Sequence, residues 1–228
     1  MRIKISLHLH SHEDSEDGRV VDYSLFELID RAAAQDFKVL ASTCHLHNKC
    51  LAKHIAYARQ KGILLIPGVE INIGGHVLIL NGGVEAEKIT SFTELRNFKK
   101  QHPEVLVVAA HSNHKYESIS LKKLREYCDI IDAAEHSWFY TRWMNFNSKT
   151  KVLCAELELP FLATSDLHTL DFLNTDYAVI EASELTAREV FKAVKSGRIE
   201  NVSRPKTVIE LIKFIVKIFI VNYFKKIF

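Results

Sequence analysis

The sequence is poor in cysteine, glycine and proline. Its 228 residues include four cysteines, eight glycines and four prolines. The cysteines form no Cys-x-x-Cys pair, and the start of the chain lacks the basic segment and apolar core of a secretory signal. We therefore expect a protein of the reducing cytoplasm. No stretch rich in proline, glycine or serine marks a linker, and no internal repeat is evident.

The chain also lacks an excess of either charge. Thirty Lys and Arg residues accompany 28 Asp and Glu residues, which gives a net charge of +2 with neutral histidines. This balance does not indicate a nucleic-acid partner, although it leaves local basic patches open. Hydrophobic residues make up 47% of the chain and charged residues 25%, a balance typical of a globular protein with a sizeable core.

The sequence does contain a regular alternation of short apolar strands and amphipathic helices. Residues 2–10 are predicted as a strand and residues 23–35 as the helix that follows. Further helices are predicted near 49–61, 91–101, 120–127, 140–158 and 186–196. Residues 76–82, after the Gly74-Gly75 turn, are predicted to form a hairpin with the preceding strand or to extend it. Seven strand–helix units favour parallel pairing in a closed or nearly closed α/β barrel.

Histidines and carboxylates follow the predicted strands in a repeated pattern. In an α/β barrel the carboxyl ends of the strands form one face, where active sites are built. Six strands supply such residues: His8, His10, His45, Glu70, His111, Glu135, His136, Asp166 and His168. His8 and His10 share one face of the first strand because strand side chains alternate. Scattered surface histidines would not coincide with strand ends in this way, so the set predicts a metal centre.

The number of donors exceeds the need of one ion, because a catalytic zinc takes about three protein ligands plus water. We therefore expect two or three divalent ions, and mixed nitrogen and oxygen ligation suits Zn, Mn or Fe. For two further residues the sequence does not decide whether they are ligands. His76 depends on whether the preceding turn folds it back beside Glu70, and Asp17 has an alternative role in capping the loop at Gly18.

Five motifs resemble those of the PHP family, named for its polymerase and histidinol phosphatase domains. HLHSHEDSEDG resembles the first motif, and STCHLH, PGVEI, AAHSNH and TSDLH resemble the others in the family's order. The resemblance covers about residues 3–204, including a C-terminal segment typical of small members. It implies a distorted seven-stranded, TIM-like (β/α)7 barrel, a trinuclear metal centre and hydrolysis of phosphoester bonds.

The resemblance also implies which residues hold the ions. The implied ligands are His8, His10, Asp17, His45, Glu70, His76, His111, Asp166 and His168. A hydroxide that bridges two ions would be the nucleophile, because metal coordination lowers the pKa of bound water to about 7. Catalytic roles then go to His111, Asp166 and His168, with the two histidines placed to assist the leaving oxygen through water.

The chain departs from the family pattern near these ligands. Ser6 and Cys44 stand where aspartates are usual, and loss of groups that orient imidazoles costs about 10–100-fold in metal affinity or activity. The loop before Asp17 is longer than usual, so Asp14 or His12 could take the place of that residue. A non-catalytic metal-binding regulatory module is therefore one alternative function. An amidohydrolase-type metal hydrolase is another, because such barrels also use His-x-His and ligands at strand ends.

The expected substrate is a small phosphomonoester, a nucleoside bisphosphate or the 5' end of a short oligonucleotide. Phosphate oxygens need cationic groups or hydrogen-bond donors at the barrel mouth. The candidates for this role are Arg19, His114, Lys115, His136 and Arg142. Each of them also fits an ordinary structural or solvated role.

Residues 205–228 fall outside the barrel predicted for residues 1–204. From Val208 the segment is dense in Ile, Val and Phe, with its first charged residues on one narrow helical stripe. The apolar face is wider than a surface helix needs, yet charges interrupt it too often for a membrane span. We expect a helix packed across the barrel or in a homodimer interface. An in-plane membrane anchor over 208–228 and an extra strand pair are the alternatives.

Overall fold

Strands and helices alternate through residues 1–114 and 117–225, the part of the chain that the computed structural model describes. The strands are β1 Arg2–Leu9, β2 Phe37–Ser42, β3 Leu64–Asn72, β4 His76–Leu80, β5 Leu106–Ala109, β6 Ala133–His136, β7 Phe161–Ala163, β8 Asp176–Glu181 and β9 Ile199–Ser203. The helices are α1 Leu25–Ala34, α2 Ala52–Gln60, α3 Phe92–Gln101, α4 Leu121–Glu126, α5 Asn147–Glu156, α6 Ala187–Lys195 and α7 Val208–Lys225.

The nine strands form one sheet in the order β7-β6-β5-β4-β3-β2-β1-β8-β9. The pairs β1–β2, β2–β3, β5–β6 and β6–β7 are parallel, as the strand–helix alternation predicts. β4 runs antiparallel to β3 and β5, and β8 and β9 join the other end as antiparallel strands. The sheet is therefore mixed and has nine strands instead of the predicted seven. The turn before β4 joins β3 and β4 as a hairpin, which is one of the two arrangements that the sequence predicts for residues 76–82.

One side chain bridges the two ends of this sheet. The Asn201 side chain in β9 accepts a hydrogen bond from Ala163 N and donates one to Phe161 O in β7, each at 2.7 Å. Just beyond β7, Leu167 pairs with Leu9 at the end of β1. These contacts curve the sheet into a nearly closed barrel, which agrees with the predicted architecture.

The apolar core lies on both sides of the curved sheet. One buried cluster draws side chains from β1 to β8 together with Val190, Phe191 and Val194 of α6, so it fills the barrel interior. A second cluster lies between the middle strands and α3 to α5, and a third packs α1 against β1 to β3. With its interior filled by side chains, the barrel leaves the carboxyl ends of its strands as the face for a site.

The helix predicted over 140–158 is shorter in the structure, because α5 begins only at Asn147. The Thr141 hydroxyl accepts hydrogen bonds from the backbone nitrogens of Trp143 and Met144, at 3.3 and 3.0 Å. Such local side-chain bonds compete with a helix for the same backbone groups. Residues 140–146 therefore form a loop beside the strand ends.

The C-terminal helix α7 lies against the barrel with one face. Leu211 is buried, and the Phe214 ring lies 4.9 Å from the Trp138 ring. Just before the helix, the buried Lys206 forms an ion pair with the buried Asp176. No helix in the described residues is long and apolar enough to cross a membrane. Residues 226–228 lie outside the described residues, and the domain boundary at 204/205 stays a prediction.

Candidate metal centre

The end of β1 contributes two fully buried histidines, His8 and His10. Their Nε2 atoms lie 3.1 Å apart. Each Nδ1 donates to a carboxylate, His8 to Glu135 at 3.1 Å and His10 to Asp14 at 2.9 Å. A bond of this kind fixes the ring and its tautomer, which leaves Nε2 free to bind a metal ion.

Glu70, in β3, places one carboxylate oxygen against these two rings. Its Oε2 lies 3.0 Å from His8 Nε2 and 3.3 Å from His10 Nε2. The same oxygen lies 3.3 Å from His45 Nε2, which follows β2. The Glu70 side chain is 1% exposed, so water does not reach it freely. Imidazoles from two strands thus converge on one buried oxygen.

The other Glu70 oxygen faces a second pair of imidazoles. Oε1 lies 2.8 Å from His76 Nδ1 and 3.4 Å from His111 Nε2. The close contact with His76 lacks the angles of a hydrogen bond, and both atoms are buried without a hydrogen-bond partner. Buried polar atoms are rarely left unpaired, and a bound ion is one reason for such an exception. The donor set and these two atoms fit a divalent metal ion.

The turn before β4 explains how His76 reaches Glu70. Gly75 has φ 143°, and a Cβ at this position would lie 2.6 Å from the Ile119 backbone nitrogen. Only glycine fits both the conformation and the space. The hairpin then folds back along β3, and the His76 nitrogen donates to the Glu117 carbonyl at 2.8 Å. The structure therefore places His76 beside Glu70, the position that the sequence left open.

Asp166 and His168 approach the cluster from the segment after β7. Asp166 Oδ1 lies 3.4 Å from His8 Nε2 and 3.3 Å from His10 Nε2. His168 Nδ1 donates to the Asp166 carbonyl at 2.9 Å, and its Nε2 lies 2.8 Å from Asp17 Oδ2. This end of the barrel therefore brings a carboxylate and an imidazole to the same cluster.

Two of these residues have an unusual backbone conformation. His111 has φ 27° and Asp166 has φ 41°, in the left-handed region that favours glycine. Such conformations cost on the order of 1–3 kcal/mol each and cluster at functional sites. Both residues follow the ends of strands, β5 and β7, at the face where the donors converge.

The loop after β1 supplies two aspartates with different surroundings. The Asp14 side chain is fully buried; its Oδ2 accepts from the His45 nitrogen at 2.8 Å and lies 3.2 Å from His45 Nδ1. The Asp17 side chain is 36% exposed and contacts His168. His12 is 53% exposed and faces Glu13. Both aspartates reach the cluster, whereas His12 points away from it.

Sequence reasoning did not assign Asp14 and Glu135 the orienting role they have here. Glu135, at the end of β6, is fully buried and also accepts from the His111 backbone nitrogen at 2.8 Å and from the Thr164 hydroxyl. A carboxylate at a strand end was the available signal. In contrast, the Ser6 hydroxyl pairs with the Ser165 hydroxyl at 3.0 Å and makes no hydrogen bond to an imidazole in the described residues.

Charges interact strongly within the cluster. Burial acts to lower the pKa of His8 and His10, but the adjacent carboxylates outweigh it and raise both pKa values well above the usual range. Burial acts to raise the pKa of Glu70, but the surrounding histidines hold it well below the usual range. In the metal-free cluster, His8, His10 and Glu70 thus each favour the charged form of their neighbours. Metal binding replaces the protons on such histidines.

Within the described residues, three groups of donors have ligand atoms within 4.8 Å of one another. The groups are His8, His10 and Asp166; His10, Asp14 and His45; and His45, Glu70 and His76. Imidazole nitrogens and carboxylate oxygens are both common metal ligands in proteins. The chain can therefore hold metal at this face.

The five candidate substrate contacts differ in position. His114 lines a cavity of about 520 Å³ beside His111, and burial lowers the pKa of His114 to about 4. Arg19 and Arg142 are exposed on loops. His136 is half-buried, and its ring packs on Tyr140 and Phe161. Lys115 lies outside the described residues.

The similarity of this chain to known proteins is one of structure. No family model matches the chain, and no curated protein does. A two-domain protein from Bacteroides vulgatus, containing a predicted PHP-like metal-dependent phosphoesterase, has a TM-score of 0.69 at 16% identity over 90% of this chain and 65% of that one. The lesion-specific endonuclease PfuEndoQ from Pyrococcus furiosus has a TM-score of 0.63 at 17% identity, over 88% of this chain and 58% of that one. An amidohydrolase from Chromobacterium violaceum has a TM-score of 0.55 at 16% identity, over 86% of this chain and 97% of that one.

These likenesses concern the fold. The chain has a PHP-like fold, as its ordered motifs predict, but its sheet has nine strands instead of the predicted seven. It spans less than two thirds of the length of the first two proteins.

Proposed function

From its PHP-like fold and its buried histidine and carboxylate cluster, we propose that this chain is a metal-dependent phosphoesterase. The observation that carries the proposal is Glu70, whose two oxygens face imidazoles from different strands. A carboxylate in this position suits two neighbouring ions, as in the two-metal sites that hydrolyse phosphoesters. Two or three divalent ions, bound by the nine ligands named from the motifs, would supply an activated water and offset the charge of the phosphate.

Different residues of the chain would have different roles at this centre. Glu135 and Asp14 hold the His8 and His10 rings through Nδ1, which leaves each Nε2 as the nitrogen that would bind an ion. His111 and His168 both line the cavity beside the cluster, where each could assist the leaving oxygen through a water molecule. His114, neutral because its pKa is about 4, can donate or accept a hydrogen bond there.

The geometry favours an enzyme over the non-catalytic module. That alternative rested on Ser6 and Cys44, which lack the carboxylates that orient imidazoles. Asp14 and Glu135 supply those carboxylates from other positions. Residues Arg19, Lys115, His136 and Arg142 stay proposed contacts for phosphate, and a cytoplasmic location and a dimer or membrane-surface role of α7 stay predictions.

The test is metal analysis of the purified protein, followed by assays with phosphomonoesters, 3',5'-bisphosphates and 5'-phosphorylated oligonucleotides. His111→Ala should lower phosphoesterase activity at least ~100-fold, the lower end of what general acid–base groups contribute. His102→Ala, in a histidine that packs on Phe98 at the end of α3, is the matched control and should retain activity. Equal activity of the two variants, or no turnover of any phosphoester by metal-loaded protein, would refute the proposal.

A further inference from the structure

The cavity beside the candidate metal centre has two chemically different halves. Its volume of about 520 Å³ is within the roughly 300–1,000 Å³ of small-molecule sites. One side is formed by His111, Asp166 and His168, which belong to the candidate centre, together with His114. A ligand bound here by its phosphate would therefore place its remaining atoms against the other side.

That other side is apolar and comes from two segments, the loop between β6 and α5 and the helix α7. The loop after β6 supplies Trp138, the residue before α5 is Phe146, and α7 supplies Phe214 and Ile218. The walls also contact one another: the Phe214 ring lies 4.9 Å from the Trp138 ring, and the Phe146 ring lies 5.2 Å from the His114 ring. Aromatic and aliphatic walls of this kind bind apolar groups through burial of surface.

Charge also favours an apolar ligand over a nucleic acid. Among the described residues that line the cavity, none is Lys or Arg. Polynucleotides are held largely by Lys and Arg at successive phosphates. A ligand with a single phosphate at the metal centre and an uncharged remainder fits this lining better.

Helix α7 is fixed as a wall rather than loosely attached. The buried Lys206 and Asp176 form an ion pair at its start, Leu211 is buried, and Lys217 pairs with Asp22 at 3.2 Å. Ile215 lines the cavity and is also 39% exposed, so the apolar lining continues to the outer surface of the helix. A long apolar chain could leave the cavity along this path.

We propose that this site hydrolyses phosphomonoesters of apolar alcohols, with the phosphate at the candidate metal centre and the organic group against Trp138, Phe146 and Ile218. The proposal rests on the proposed function and narrows its substrate class. Water adds to phosphorus, the bond between phosphorus and the alcohol oxygen breaks, and that oxygen takes a proton. The products are the free alcohol and inorganic phosphate.

The experiment compares decyl phosphate with glycerol phosphate and adenosine monophosphate as substrates of the metal-loaded full chain. We expect kcat/KM for decyl phosphate to exceed both others by roughly 10- to 100-fold, since a single methylene in an apolar pocket changes this ratio by about 10-fold or more. Equal or higher kcat/KM for either polar substrate would overturn this proposal alone. Absence of turnover with every substrate would overturn the proposed function and this proposal with it.

Two isoleucines on α7 provide a matched pair of variants. Ile218→Ser, in the cavity wall, should lower the preference for decyl phosphate about 10-fold. Ile209→Ser, at a position 66% exposed, should leave the preference unchanged. The same preference in both variants would contradict the role of the wall. Should Ile218→Ser fail to fold, the comparison of substrates with the unaltered chain still decides the proposal.

A further arm identifies the source of the apolar ester. Phosphatidic acid in phosphatidylcholine vesicles offers the same phosphomonoester at a lipid surface. Hydrolysis of phosphatidic acid as well as decyl phosphate would support a lipid source, and hydrolysis of decyl phosphate alone would support a soluble ester.

Discussion

Glu135 shows how a residue that need not touch metal can control a metal site. Its Oε2 accepts from His8 Nδ1 at 3.1 Å and from the His111 backbone nitrogen at 2.8 Å, so one oxygen positions two candidate ligands. The residue is fully buried, and no other carboxylate contacts His8 Nδ1 among the described residues. Its effect should therefore be measurable as metal affinity.

Glu135→Gln should weaken metal binding about 10–100-fold, the usual consequence of removing a group that orients a ligand. The amide keeps the shape of the side chain but loses the charge that stabilises the His8 ring. Competition with a chelator measures the metal Kd. Glu85→Gln, in a surface glutamate 67% exposed, is the control with unchanged Kd. An unaltered Kd in Glu135→Gln would remove the positioning role.

The buried histidines also predict how stability of the metal-free protein depends on pH. The pKa values of His8 and His10 are raised above 6.5, so their contribution is fully present below pH 6.5 and is lost as pH rises through the raised values. The pKa of Glu70 is lowered below 4.5, so its contribution is present above pH 4.5 and is lost as pH falls through the lowered value. The metal-free protein should therefore be most stable between pH 4.5 and pH 6.5, where both contributions are fully present.

Thermal unfolding of chelator-treated protein from pH 5 to pH 9 measures this dependence. We expect Tm to fall on the alkaline side, because the imidazolium groups there lose their protons. Bound metal replaces those protons and should remove the alkaline loss. A metal-free Tm that is constant or rises towards pH 9 would contradict the charged cluster.

At the scale of the element, the β3–β4 hairpin sets the distance between His76 and Glu70. Gly75→Ala should destabilise the protein by about 1–3 kcal/mol, because the new Cβ meets the Ile119 backbone and the residue keeps a positive φ. It should also weaken metal binding, because His76 moves with the turn. Urea unfolding and metal titration measure the two effects.

Gly83→Ala separates conformational cost from collision. Gly83 also has a positive φ, 64°, but nothing lies within 4 Å of the position of a Cβ. The Gly83→Ala variant should lose about 1 kcal/mol of unfolding free energy from its backbone conformation alone, and its metal affinity should be unchanged. If Gly75→Ala behaves in the same way, the hairpin does not position the site.

At the scale of the whole molecule, Asn201 contributes two of the contacts that close the barrel. Asn201→Ala removes the two hydrogen bonds to β7 and should lower the free energy of unfolding by about 1–2 kcal/mol. Glu200→Ala, next to it on β9, breaks only an exposed ion pair with Arg2 and should cost at most about 1 kcal/mol. Equal losses in urea unfolding would show that Asn201 does not close the sheet.

The sequence alone determined the α/β class and the set of donors that meet at one face. Both follow from local rules, since strand side chains alternate and the carboxyl ends of neighbouring parallel strands share an edge. His8, His45 and His111 could thus be grouped although they are far apart in the chain. The motif order also predicted the PHP-like fold, but not its number of strands.

Only the tertiary structure decided the antiparallel strands, the orienting roles of Asp14 and Glu135, and the use of α7 as a cavity wall. β8 pairs with β1 although the strands β2 to β7 lie between them in the chain, and Glu135 meets His8 from a different strand. Likewise, Phe214 meets Trp138 only because α7 folds back over the strand ends. No local period encodes such contacts, because they depend on where distant segments come to lie when the core is packed.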